Sequence, residues 1–266
     1  MIGSATQVAP RLRTGDRVAV LGVLAGLATL SWAYMLHMEW GMRHMDVGAD
    51  MVIMPAMTNW GIADLCLVLL MWTTMMSAMM LPSAVPMVLA YVGIQRARGT
   101  NAQRLISASL LVFGYLTVWL GFSLAATVLQ WALLETALIT PMMESASAIM
   151  SGLFLIGAGV FQFTPLKRAC LTGCRSPVRF LLSAWQESRS GAFALGLKNG
   201  ATCLGCCWAL MLLPLAIGVM DLRWMAALTA FILIEKALPG GDRFGRTVGW
   251  ALIFWGGLLL VRHFLS

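Results

Sequence analysis

The sequence predicts an all-α, polytopic transmembrane helix bundle of about seven spans with its N-terminus in the cytoplasm. Three observations carry that expectation: the composition, the length of the apolar runs and the placement of Lys and Arg. Of 266 residues, 60% are hydrophobic and only 11% are charged, too few polar groups to cover a water-facing surface. Apolar runs of about 20 residues, the length that crosses a hydrocarbon core roughly 30 Å thick, recur along the chain. They lack the alternation of barrel strands, and in lipid only helices and closed barrels satisfy their own backbone.

The first run, about 18 to 36, follows a basic start and holds a Ser31-Trp32-Ala33 triplet that mimics a signal-peptidase site. Because the chain begins at Met1, it is expected to be an uncleaved first helix. The second covers about 62 to 81, with a continuation to 92 left open, because Pro82 and Pro86 are expected to end or kink it. The third, about 106 to 134, follows a Thr100-Asn101 pair, and an outer loop with Glu135, Pro141 and Glu144 leads to the fourth, about 146 to 163. A cytoplasmic stretch from Thr164 to about Gly191 holds Pro165 and Pro177, with a basic helix from Val178 to Ser188 expected along the membrane surface. The fifth, sixth and seventh runs are about 192 to 219, 224 to 238 and 248 to 265, the sixth weakest because it barely spans. No internal repeat breaks the chain, so residues 1–266 are expected to form a single transmembrane domain.

With the N-terminus inside, all of the 18 Lys and Arg except Arg43, Arg223 and Arg262 fall on the cytoplasmic side. The net charge of +7 then reads as a topology signal and as contact with the anionic headgroups of a lipid bilayer, with no nucleic-acid partner. The chain is expected to cross a membrane several times with its basic loops on the cytoplasmic side. Six Cys do not suggest a disulfide framework: Cys66, Cys203, Cys206 and Cys207 lie in apolar runs, and Cys170 and Cys174 lie where thiols stay reduced.

Sulfur is the most informative chemistry in the chain. Met71, Met75, Met76, Met79 and Met80 crowd ten residues of the second run, and Cys203, Cys206, Cys207 and Met211 share two turns of the fifth. Both sets fall at about mid-bilayer depth. Asp64, Met71 and Met75 project in nearly one direction, so an acidic residue caps the outer end of a thioether stripe. Spacings of three and four place the three thiols on adjoining faces of one turn, and Gly200 and Gly205 leave room for a neighbouring backbone. The competing account is packing: Met fills irregular gaps, and a buried Cys behaves as a small hydrophobe. Their density in so short a stretch exceeds what packing needs.

Soft sulfur ligands select Cu(I). A bare thiolate in hydrocarbon is penalised by desolvation, and a soft cation offsets the penalty because two thiolates and one Cu(I) leave a single negative charge. Zn(II) wants four N, S or O ligands in a tetrahedron, and no span near this depth offers a His. Mg and Ca lack carboxylates. Ag(I) would satisfy the same donors as Cu(I).

Two further groups extend the pattern. The outer segment, about 37 to 60, is dense in Met, and on a helix continuing from the first run Met35, Met38, Met42 and Met45 fall within a sector of about 80°. His37 and His44 align on nearly the opposite face. On the inner side, Cys170 and Cys174 share a helical face, suited to a two-coordinate soft ion, and flanking Lys167, Arg168 and Arg175 would favour thiolate. Lys198, Asn199, Glu235 and Lys236 are expected to pair and set helix register. No phosphate loop, Ser/His/Asp set or paired carboxylate stands out, and no enzymatic chemistry is expected.

The segments MWTTMMSAMMLPSAVP at 71–86, FQFTPLKRACLTGCRSP at 161–177 and GATCLGCCWALMLLP at 200–214 resemble a bacterial family of integral membrane proteins classed as domain of unknown function 2182. Such proteins are labelled predicted metal-binding membrane proteins and copper chaperones. The resemblance implies membrane location and metal handling. The resulting expectation is a Cu(I) transporter or membrane chaperone that passes copper toward a copper chaperone or cuproprotein partner. Met38, Met42 and Met45 would collect the ion, Met75, Met76 and Met79 with the three Cys of the fifth run would hold it, and Cys170 with Cys174 would exchange it. Two alternatives stay open: a thiol–disulfide redox protein acting through Cys170 and Cys174, and an accessory subunit of a larger respiratory or photosynthetic membrane complex.

Overall fold

The computed structural model describes residues 14–43, 60–95, 101–136, 148–185, 188–219, 221–238 and 240–265. These residues form helices and no strand: α1 (Thr14–Arg43), α2 (Ile62–Gln95), α3 (Asn101–Glu135), α4 (Ala148–Phe161), α5 (Pro165–Arg175), α6 (Pro177–Ala184), α7 (Arg189–Met211), α8 (Pro214–Ile217), α9 (Leu222–Ala237) and α10 (Gly241–Leu265). Helices α1, α2, α3 and α10 and the α7–α8 unit, five in all, are long and apolar enough to cross a membrane. Helices α4 and α5 meet at a 64° bend and make a sixth if taken as one broken span. The remaining expected span, the sixth run, is α9, whose 16 residues reach only about 24 Å at 1.5 Å per residue, short of the roughly 30 Å core.

The apolar surface points outward as well as inward. Leu30 is 69% exposed, Trp250 65% and Phe254 72%, a distribution that water penalises and lipid does not. Association in such a medium depends on close backbone approach at small residues. Helices α3 and α7 achieve it at Gly114 and Gly196, where a Cβ on Gly196 would overlap the Leu111 carbonyl, and at Gly200, where a Cβ would lie 3.0 Å from Val118 Cβ. Helices α4 and α10 repeat the device: a Cβ on Gly159 would lie 2.7 Å from the Gly249 carbonyl, and one on Gly256 2.7 Å from that of Gly152.

Local chemistry sets the helix boundaries near the site. Thr164 caps α5, its Oγ1 accepting from Lys167 N at 3.3 Å, with Pro165 at the first helical position, where its missing N–H costs nothing. Asp221 caps α9 by accepting from Arg223 N at 3.0 Å, after Gly218 turns the chain with φ of 121°. The expected surface helix over 178–188 is the shorter α6, which ends at Ala184.

Helix α2 does not stop at its prolines but runs through Pro82 and Pro86 to Gln95. Pro82 has no N–H to offer the Ala78 carbonyl, and the Trp32 indole on α1 supplies it instead, Nε1 to O at 3.2 Å. The proline thus frees an acceptor that fastens α1 to α2.

Candidate metal centre

The Met ladder is buried. Met71, Met75, Met76, Met79 and Met80 on α2 are at most 1% exposed, and they share one apolar cluster with Cys203, Cys206, Cys207 and Met211 of α7. Met35 of α1 belongs to the same cluster, and Cys170 and Cys174 of α5 pack against it. The ladder and the cysteines thus belong to one contiguous buried cluster. Helix α3 packs against both α2 and α7, and those two meet through side chains, Ser83 Oγ lying 3.9 Å from Cys203 Sγ.

Four helices converge on Cys203. From α9, Lys236 Nζ donates to Cys203 Sγ at 3.0 Å and to Ser83 Oγ at 3.1 Å. From α3, Tyr115 Oη donates to the Met80 carbonyl at 3.1 Å and lies 3.2 Å from the same sulfur. Ser83 Oγ donates to the Met80 carbonyl at 2.9 Å and lies 3.3 Å from Tyr115 Oη. A cation, two hydroxyls and a thiol thus form one node at the C-terminal end of the ladder. Lys236 does more than set register, and Ser83 and Tyr115 were not singled out by sequence. Their only sequence signals are a Lys at the end of an apolar run and one Tyr deep inside another.

The other thiols turn elsewhere. Cys206 and Cys207 each direct Sγ to the Cys203 carbonyl at 3.0 Å, a back-bond along the helix. The expected triangle of thiols is present on α7, but among the described residues no group of three or more His, Cys, Asp or Glu converges to hold an ion. Any centre here must combine thiols with thioethers, or thiols from two helices. Cys174 of α5 supplies the second kind: its Sγ lies 3.9 Å from that of Cys206. Two sulfurs at that separation could both serve as ligands to one soft ion.

The pair of Cys170 and Cys174 differs from expectation in two respects. It is half-buried against α7 rather than a separate cytoplasmic site, and Gly205 makes room for it, since a Cβ there would lie 2.7 Å from Cys170 Sγ. The flanking cations are also engaged away from the thiols. Lys167 Nζ pairs with Glu235 Oε1 at 2.7 Å and donates to Gln162 Oε1, and Arg175 pairs with Asp242 Oδ1 at 2.9 Å while donating to the Glu235 carbonyl at 3.1 Å through Nε. Lys167 and Glu235 are 2% and 3% exposed, so this is a buried ion pair that pins α5 to α9. A Cβ on Gly245 would overlap Glu235 Oε1, so α10 also closes tightly on the pair.

The outer collecting set is placed only in part. Helix α1 continues out of the first apolar run as far as Arg43, so Met35 and Met38 share one helix. Met38 is buried on it, Met42 sits in its last turn with its side chain outside the described residues, and Met45 and His44 lie outside them altogether. Asp64, expected as the acidic head of the thioether stripe, accepts from Gly61 N at 2.8 Å and so serves the start of α2.

A family model described as PpoB2, copper chaperone, matches residues 69–259, a range that contains the ladder, both cysteine groups and Lys236. No curated protein and no solved structure matches the chain.

Proposed function

The chain belongs to the PpoB2 copper-chaperone family, and from that premise we propose that it binds Cu(I) within a bacterial cytoplasmic membrane and passes it toward cuproprotein assembly. It carries the ion and transforms no substrate. The observation that supports this reading is one buried cluster that contains five thioethers of α2 together with the thiols and Met211 of α7, with Cys170 and Cys174 against it. Such donors suit a soft monovalent ion, and the described cluster offers no carboxylate or imidazole set for a hard one.

Within this reading, Met71, Met75, Met76, Met79 and Met80 are weak, exchangeable ligands that accept Cu(I), and Cys203, Cys206 and Cys207 are stronger ones at the inner end. Cys174, opposite Cys206 at 3.9 Å, is the ligand through which the ion leaves α7 for α5, with Cys170 one turn away. Met38, Met42 and Met45 remain the proposed collectors at the outer end of α1.

Metal analysis of protein purified after Cu(I) loading tests the proposal. Wild type is expected to retain copper, and the Cys203→Ser, Cys206→Ser, Cys207→Ser triple variant to lose most of it. Equal copper content in the two would sink the reading.

A further inference from the structure

We infer that Lys236 is a specificity-determining residue, a fixed cation that restricts the sulfur cluster to monovalent soft ions; this rests on the copper reading above. The ammonium is held in place from several sides. It donates to Cys203 Sγ at 3.0 Å and to Ser83 Oγ at 3.1 Å, and Ser83 is itself fixed by the Met80 carbonyl at 2.9 Å. The adjacent carboxylate, Glu235, does not neutralise it, because that side chain is engaged with Lys167 at 2.7 Å. The charge of Lys236 therefore acts on the sulfur.

Charge balance then discriminates between ions. Two thiolates, one ammonium and one monovalent ion make a neutral assembly, which is the condition an apolar interior favours. A divalent ion held by the same two thiolates leaves a net positive charge, and among the described residues no third Cys, His, Asp or Glu converges to cancel it. Such an ion is also repelled by the ammonium twice as strongly as a monovalent ion at the same distance, an effect that a low dielectric enlarges. A divalent thiophile would further want four donors, and among the described residues no set of three His, Cys, Asp or Glu offers itself. Cu(I) and Ag(I) satisfy the site; Cd(II) and Zn(II) meet a cation already in residence.

The test is a competition between Cu(I) and Cd(II), using full-length protein in detergent and reading both metals by elemental analysis together with the sulfur-to-cadmium charge-transfer absorbance. The quantity read is the ratio of the two, because losing the ammonium also weakens thiolate binding of either ion. Wild type and Lys236→Arg are expected to share a strong preference for Cu(I). Lys236→Leu is expected to lower the preference on the order of tenfold, and Lys236→Gln, a second neutral variant, keeps the idea open to refutation should Lys236→Leu fail to fold. An unchanged ratio in a folded neutral variant, with wild type binding copper, overturns the role of Lys236 and leaves the copper reading standing. A wild type that binds no copper overturns both.

Discussion

Glu235 and Lys236 are neighbours on one turn of α9, yet they serve two different buried nodes. Glu235 is enclosed by Lys167, Gln162 and the closely packed Gly245, with Arg175 held on its carbonyl. Lys236 reaches the other way, to Ser83 and Cys203. Consecutive helical residues project about 100° apart, so one short helix presents a carboxylate to α5 and an ammonium to α2 and α7. The first node is closed, each charge meeting an opposite one. The second sets a cation against sulfur. A closed pair fixes geometry; an ammonium on a thiol beside a thioether ladder is the node where we propose that another cation is handled.

The largest expected effect comes from breaking the closed node. Glu235→Ala strands the Lys167 ammonium in a buried site and is expected to cost about 3–5 kcal/mol, read as a fall in the unfolding temperature in detergent. Exchanging both partners, in Lys167→Met with Glu235→Leu, removes the stranded charge and is expected to recover most of the loss. Copper content per folded molecule should stay at the wild-type value in both. A Glu235→Ala protein of normal stability without copper would erase the distinction between the nodes.

A smaller effect is expected from Tyr115→Phe. It removes a hydroxyl that donates to the Met80 carbonyl and touches Cys203, so stability is expected to fall by about 1 kcal/mol. Saturating copper content is expected to be unchanged, since a phenol oxygen is a poor ligand for a soft ion. Loss of copper in a folded Tyr115→Phe protein would move the oxygen into the ligand set and blur the division between fastening and holding.

Much of the helical frame was legible because lipid enforces it: long apolar runs have to be helical, and α1, α2, α3, α7 and α10 lie where the runs are. The burial of the ladder was legible too, since at 100° per residue Met71, Met75, Met76, Met79 and Met80 all fall on one half of α2. The path of α2 was not. Pro82 reads as a break when α2 is considered alone, and only the Trp32 indole from another helix shows how the freed carbonyl is satisfied. The same limit applies at Cys203. Helical spacing groups it with Cys206 and Cys207, whereas its partners Tyr115, Ser83 and Lys236 come from three other helices that periodicity does not connect. Cys170 and Cys174 share a helix face as spacing predicts, but the sulfur 3.9 Å from Cys174 belongs to α7.

Copper K-edge X-ray absorption on the loaded wild-type protein reads whether buried sulfur of α2 and α7 holds Cu(I). The edge of Cu(I) is expected, with a shell of sulfur neighbours alone, two or more of them, that disappears in the Cys203, Cys206, Cys207 triple Ser variant. A shell of nitrogen or oxygen, or a sulfur shell that survives in the triple variant, would contradict the proposal.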